Sequence, residues 1–242
     1  KIINKSSFDL NNAYMGVWAD CELGSANDDY VGCDVTLGLG YCYNGDAVDD
    51  DPPAGEIPYG ATPPAIGIDF FEGPFADPNG IDDPSSSVPA SFKGYGDVTI
   101  DNERIGMKKF VDYSNGAPSG QGDPVGYSQY YGYLKGFWTD NTPFTYGGTG
   151  HLSGGVPCDY VFPGTSDPSG FGTGMIPQGN WDETTAGNVP ADRRFLESAG
   201  PFTLKAGAVN TIPTGAVWAR ATQRKNLASG ALMKGADGEG QT

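Results

Sequence analysis

The chain has 242 residues, of which 38% are hydrophobic and 12% aromatic, with 38 Gly, 19 Pro and a net charge of −16. That aromatic content can fill a core and excludes a disordered chain, while so many Gly and Pro exclude long helices and favour short strands joined by turns. The charge disfavours nucleic acid and anionic lipid as partners, and no run of about 18 apolar residues exists to insert in a membrane as a helix.

In chain order, "AYMGVWAD" (13–20) reads as a strand entering a loop. The loop "ADCELGSANDDYVGCD" (19–34) is acidic and carries no Lys or Arg; Asp20, Asp28, Asp29 and Asp34 are its candidate metal ligands. "VTLGLGYCYNGD" (35–46) alternates Leu37, Leu39, Tyr41 and Tyr43 with small residues, as a half-buried strand does, and ends in the turn signal Asn44-Gly45. A second acidic group follows, Asp46, Asp49, Asp50 and Asp51, in a loop over 47–64. A buried strand is expected over 65–75, then a third acidic loop whose "DPNGIDD" offers Asp77, Asn79, Asp82 and Asp83 around Gly80.

Residues 93–114 read as two strands around Asn102, with Val98, Ile100, Ile105, Met107 and Phe110 as core candidates. "GYSQYYGYLKGFW" (126–138) places Tyr127, Tyr130, Tyr131, Leu134 and Trp138 near helical spacing. Loops are expected over 139–194, a hairpin over 200–221 turning at Lys205 to Gly207 with Pro213 at an edge or bulge, and a short helix over 226–242. These elements predict one all-β domain spanning 1–242: a jelly-roll-like β-sandwich with long acidic Gly/Pro-rich loops and one or two short helices. The terminal hairpin is expected to pair with the opening strands.

The charge is uneven. Residues 1–101 hold 18 of the 30 Asp and Glu but three of the 14 Lys and Arg. Three acidic loops in so short a span predict bound Ca²⁺, which accepts six to eight oxygen ligands in irregular geometry. Four cysteines, Cys21, Cys33, Cys42 and Cys158, in an acidic Lys-poor chain predict an oxidising, extracellular setting. Three pairings are available, and Cys21–Cys33 with Cys42–Cys158 is the expected one. His151, the single histidine, sits in a Gly-rich loop without a nucleophile elbow, so no catalytic residue is assigned. The aromatics of 127–146 either pack the interior or stack on sugar rings, and "DRRF" (192–195) is expected to form ion pairs.

Several stretches resemble a recurring region of large surface proteins of Bacteroidetes-type bacteria exported by the type IX secretion system. They include "VWADCELGSANDDYVGCD", "LGYCYNGDAVDD", "PPAIGIDFFEGP", "ERIGMKKFVDYSN", "DYVFPGTSDPSGFGTG", "DRRFLESAGPFTLKAGAVN" and "GAVWAR". The resemblance implies an extracellular or cell-surface location and a module within a longer polypeptide; it assigns no catalytic residue. The expected function is a non-catalytic, calcium-stabilised surface module with a structural or adhesive role, meeting polysaccharide or other surface proteins. The alternatives are a secreted carbohydrate-active enzyme or carbohydrate-binding accessory domain, and a self-associating subunit of an extracellular filament.

Overall fold

A computed structural model describes residues 1–50, 52, 55, 57–114, 118–220, 224–225 and 232–233. In chain order the strands are β1 (Ile2–Ile3), β2 (Leu10–Asp20), β3 (Asp29–Asp34), β4 (Leu39–Asn44), β5 (Val48–Asp49), β6 (Gly60–Ala61), β7 (Pro64–Phe70), β8 (Lys109–Ser114), β9 (Arg193–Leu204), β10 (Val209–Asn210) and β11 (Thr214–Arg220). Arg224–Lys225 also pairs with Leu232–Met233. Two short α-helices occur among the described residues, α1 (Tyr127–Lys135) and α2 (Glu183–Ala186).

The long strands build an all-β, sandwich-like fold from two antiparallel sheets, one ordered β11-β7-β4-β3 and the other β2-β9-β8. Strand periodicity turns alternate residues to one face. On β9 that face carries Phe195, Glu197 and Ala199, each 0% exposed, opposite Phe110 and Asp112 of β8 and Val17 and Ala19 of β2. Val31, Cys33 and Cys42 pack against it from the other sheet. Gly40 lets the sheets approach: a Cβ there would lie 2.7 Å from Phe195 and 2.8 Å from Phe110. The core continues beyond the sheets into Tyr133, Trp138, Phe144, Tyr160, Phe162 and Trp181, which helix α1 and the loops between β8 and β9 supply.

Strands β2, β4 and β7, helix α1 and the pairing of the 200–204 arm with the opening strand match the sequence reading. Four expectations are corrected. Residues 29–34, read as acidic loop, form β3, because each residue from Asp29 to Asp34 pairs in register with β4 from Asn44 to Leu39. Val98 and Ile100 are 92% and 59% exposed, and no strand forms before Lys109 in that segment. The arm after Pro213 does not fold back on β9: β11 pairs with β7, and Pro213 precedes the strand instead of interrupting it. All four cysteines are free thiols, so neither Cys21–Cys33 nor Cys42–Cys158 is joined. Cys33 and Cys42 lie on neighbouring strands, opposite Gly40 and Val31 respectively. The helix expected over 226–242 lies largely outside the described residues; Leu232–Met233 within it is extended.

Candidate functional site

Outside the sandwich, α1 lies across the outward face of the β2-β9-β8 sheet. Ser198 Oγ on β9 donates to the Leu134 carbonyl at 2.7 Å. Gly16 on β2 admits the helix, since a Cβ there would be 2.7 Å from Leu134 Cδ2. The helix covers only part of the face, and beside it a groove of about 520 Å³ remains open. Its floor and walls are Trp18 from β2, Leu196 from β9, Tyr113 from β8, and Tyr130 and Tyr133 from α1, with Asp123 and Pro124 of the preceding loop at the rim.

The aromatic groups are fixed by one another. Trp18 Nε1 donates to Tyr113 Oη at 2.5 Å, and the Tyr113 and Tyr133 rings stack with centroids 5.3 Å apart. Tyr133 Oη in turn donates to the Gly122 carbonyl at 2.6 Å, which secures the loop bearing Asp123. Burial raises the Tyr113 and Tyr133 hydroxyls above the ordinary tyrosine pKa, so both remain hydrogen-bond donors at neutral pH. Trp18 stays 53% and Tyr130 57% exposed despite their size. Concave, mainly apolar surfaces with a few fixed polar groups are the usual form of ligand sites.

A charged cluster adjoins the groove. Asp20 lies two residues after Trp18 on the same face of β2, opposite Arg194, and Arg194 lies opposite Tyr113 on the other side. Arg194 Nε is 3.2 Å from Asp20 Oδ2, and its Nη1 is 3.4 Å from Asp192 Oδ1. Asp20, Glu22 and Asp192 each bring a carboxylate oxygen within 4.8 Å of the others, a spacing that a hard cation could bridge. Of these three, Asp20 alone was a candidate ligand from the sequence. Asp192 lies more than 150 positions away and reaches the cluster only through the β2–β9 pairing.

The other sequence candidates are held largely by backbone amides. Asp28 Oδ2 accepts from Asp50 N at 3.4 Å, while its Oδ1 is buried without a partner. Asp29 Oδ2 accepts from Leu23 N at 3.2 Å, and its Oδ1 is likewise unpartnered. Asp34 caps the turn at Leu37 N (2.9 Å), and Asp46 caps Val48 N (2.8 Å). Asp49 is fully buried, accepting from Ser25 N at 2.8 Å and from Tyr59 N. Asp77 accepts from Thr203 N at 2.6 Å, and Asn79 Oδ1 from Ile81 N at 3.0 Å. Asp82 binds Gly96 N and Val98 N, each at 2.7 Å, and Asp83 Oδ2 receives Asn79 Nδ2 at 3.1 Å. Asp51 lies outside the described residues. Gly- and Pro-rich loops leave backbone N–H groups without ladder partners, and short carboxylate side chains satisfy them locally. The first acidic group meets the second at Asp28, Asp49 and Asp50, and the third stands apart on its own loop.

Three buried acids lie on or against the strands. Glu197 is 0% exposed with both oxygens unpartnered; burial, and then the nearby Asp69 carboxylate, push its pKa up to about 9. Glu183, also 0% exposed, accepts from Val31 N at 2.9 Å and from Arg193 Nη2 at 2.6 Å. Asp112 lines a cavity of about 330 Å³ with Tyr113, Trp138 and Arg193, and burial raises its pKa. The alternation Phe195-Glu197-Ala199 carries the signal that Glu197 faces inward. His151 pairs with Asp140 at 2.8 Å and packs edge-on against Trp138, a structural arrangement.

Compared with protein-family models, with curated proteins and with solved structures, the chain matches none of them.

Proposed function

We propose that this chain is a non-catalytic extracellular surface module with an adhesive role, gripping polysaccharide in the groove of Trp18, Tyr113 and Tyr130, with calcium stabilising its acidic loops. The groove carries the reading: the exposed Trp18 ring, held by its hydrogen bond to buried Tyr113, and the exposed Tyr130 ring offer apolar faces to sugar C–H groups, and Asp123 at the rim accepts from sugar hydroxyls. The acidic rim favours a neutral or amine-bearing glycan over an anionic one. Calcium enters through the spacing of Asp20, Glu22 and Asp192 beside the groove and through the unpartnered oxygens of Asp28 and Asp29. A glycosidase would need two carboxylates about 5–9.5 Å apart across the sugar; of the described residues lining this groove, Asp123 is the one carboxylate.

Affinity electrophoresis through gels containing neutral, amine-bearing or anionic polysaccharides tests the adhesive role. At least one neutral or amine-bearing gel should retard the protein, and Trp18→Ala should weaken retardation by roughly tenfold, the equivalent of about 1.4 kcal/mol. Retardation that is equal in the variant would remove the groove from the account.

A second reading, self-association into filaments, is favoured by β11. It is one of the two edge strands of its sheet among the described residues, and Val217 and Trp218 are 43% and 59% exposed. Apolar edge strands are templates for pairing with another chain. Sedimentation that depends on concentration, and is abolished by Val217→Lys, would support it.

A further inference from the structure

We propose that the cavity at the end of β8 is a second ligand site, which takes the primary ammonium of one amino-sugar unit against Asp112. The cavity, of about 330 Å³, is bounded by the last three residues of β8, and Tyr113 is common to its wall and to that of the groove. Asp112 is 6% exposed and lines the cavity, and its Oδ1 has no hydrogen-bond partner among the described residues. The other charged residue in the described wall is Arg193, which β9 sets opposite Ser114. Its Nη2 donates to Glu183 Oε2 at 2.6 Å and to the Val189 carbonyl at 2.9 Å, while its Nε is buried without a partner. Two buried carboxylates thus share one guanidinium, and Asp112 is the one left over.

A buried carboxylate without a counter-charge is costly, and a ligand that brings the charge removes that cost. Burial raises the pKa of Asp112 and of Glu183, and the Asp112 charge raises Glu183 further, as follows where acids outnumber cations. A ligand ammonium supplies the missing charge and donates to Asp112 Oδ1. A hydroxyl on the neighbouring carbon accepts from Arg193 Nε, so the adjacent amine and hydroxyl of an amino sugar match both unpartnered atoms. The Trp138 and Tyr113 rings give a wall that suits a pyranose C–H face and an ammonium alike, and Gln121 and Thr149 offer polar groups to the remaining hydroxyls. The volume lies at the small end of ligand cavities, which run from roughly 300 Å³ upward, so the cavity takes one ring and not a chain. The choice of an amino sugar rests on the glycan reading of the neighbouring groove; the demand for an ammonium comes from the cavity alone.

The test records nitrogen-15 spectra of the four indole N–H groups at neutral pH while titrating in glucosamine, glucose, N-acetylglucosamine or glycine. Glucosamine should move the Trp138 signal to saturation. Glucose and N-acetylglucosamine keep the ring but lack the charge, and each should bind about tenfold more weakly or worse. Asp112→Asn, nearly the same shape, should weaken glucosamine by about tenfold and leave glucose unchanged. No Trp138 shift with glucosamine, equal affinity for glucose, or tighter binding of glycine, which would make the site one for zwitterions, would each overturn the proposal. Glucosamine bound equally by Asp112→Asn would overturn the role given to Asp112. The ligand series uses the wild-type protein alone, so a variant that failed to fold would not spare the proposal. The two sites also fail separately. If Trp138 ignores glucosamine while Trp18→Ala still weakens retardation by polysaccharide, the cavity falls and the groove stands; the reverse pattern removes the groove alone.

Discussion

Replacing Glu197 with Gln keeps the side chain's volume between the sheets and removes its titration. Glu197 carries a pKa of about 9 in the fold against the ordinary glutamate value of 4.5, with burial as the main cause. Between those values the folded chain holds a proton that the unfolded chain has released. Its contribution to stability is therefore complete below the lower value and is lost as pH rises toward the upper one. Each pH unit in that window corresponds to about 1.4 kcal/mol, so from about pH 6 to about pH 8 this group lowers wild-type stability by roughly 3 kcal/mol. The Gln variant bears a pH-independent cost for a buried amide, about 1–3 kcal/mol, and lacks that slope. Urea unfolding of both proteins at the two pH values measures the difference. The advantage of wild type over the variant should shrink by about 3 kcal/mol at the higher pH. An advantage that is the same at both would show Glu197 ionised throughout and its pKa not raised by the fold. Comparing the two proteins cancels the parallel slope from Asp29, whose pKa burial pushes up to about 8.

Arg193→Met leaves the fully buried Glu183 without its cation and should destabilise the fold by about 3 kcal/mol, measured by urea unfolding near neutral pH. Arg194→Met, at a partly exposed pair of contacts, should cost about 1 kcal/mol or less. With its guanidinium gone from Asp20 and Asp192, the same variant should gain more Tm from added calcium, relative to chelator, than wild type does; an equal gain would place calcium elsewhere. Gly40→Ala forces a methyl group against Phe195 and Phe110 and should cost about 1–3 kcal/mol on the same unfolding scale.

The strand with local alternation at β4 was legible, but the face it buries was not: Gly40, Cys42 and Asn44 are buried, while Leu39, Tyr41 and Tyr43 are only half-buried. Helix α1 was placed by its spacing, although the residue it buries most deeply is Tyr133, and Trp138 lies beyond its end at Gly136. Val98 and Ile100 misled because their alternation was real while their backbone bonding was not. Val98 N is taken by Asp82, and Val98 and Asp101 adopt positive φ, so no ladder can form there. β3 was hidden by acids at both ends, one of which, Asp29, is buried. The inward parity of Glu197 was present in "FLESA", but an acid in a strand reads as solvent-facing until the opposing sheet is known. The groove was beyond local reading, since Trp18, Tyr113, Asp123, Tyr130 and Leu196 come from five separate segments.

The adhesive role stands or falls on whether a glycan touches Trp18. The chain has four Trp, and two of them, Trp138 and Trp181, are buried at 2% and 3% exposure, while Trp18 and Trp218 are open to solvent. Nitrogen-15 spectra of the four indole N–H groups, recorded while titrating in the polysaccharide that most retards the protein, separate the possible contact sites. Glycan binding in the groove should shift the Trp18 signal to saturation with no change at Trp218. A shift confined to Trp218, or no shift at Trp18 at saturating polysaccharide, would contradict it.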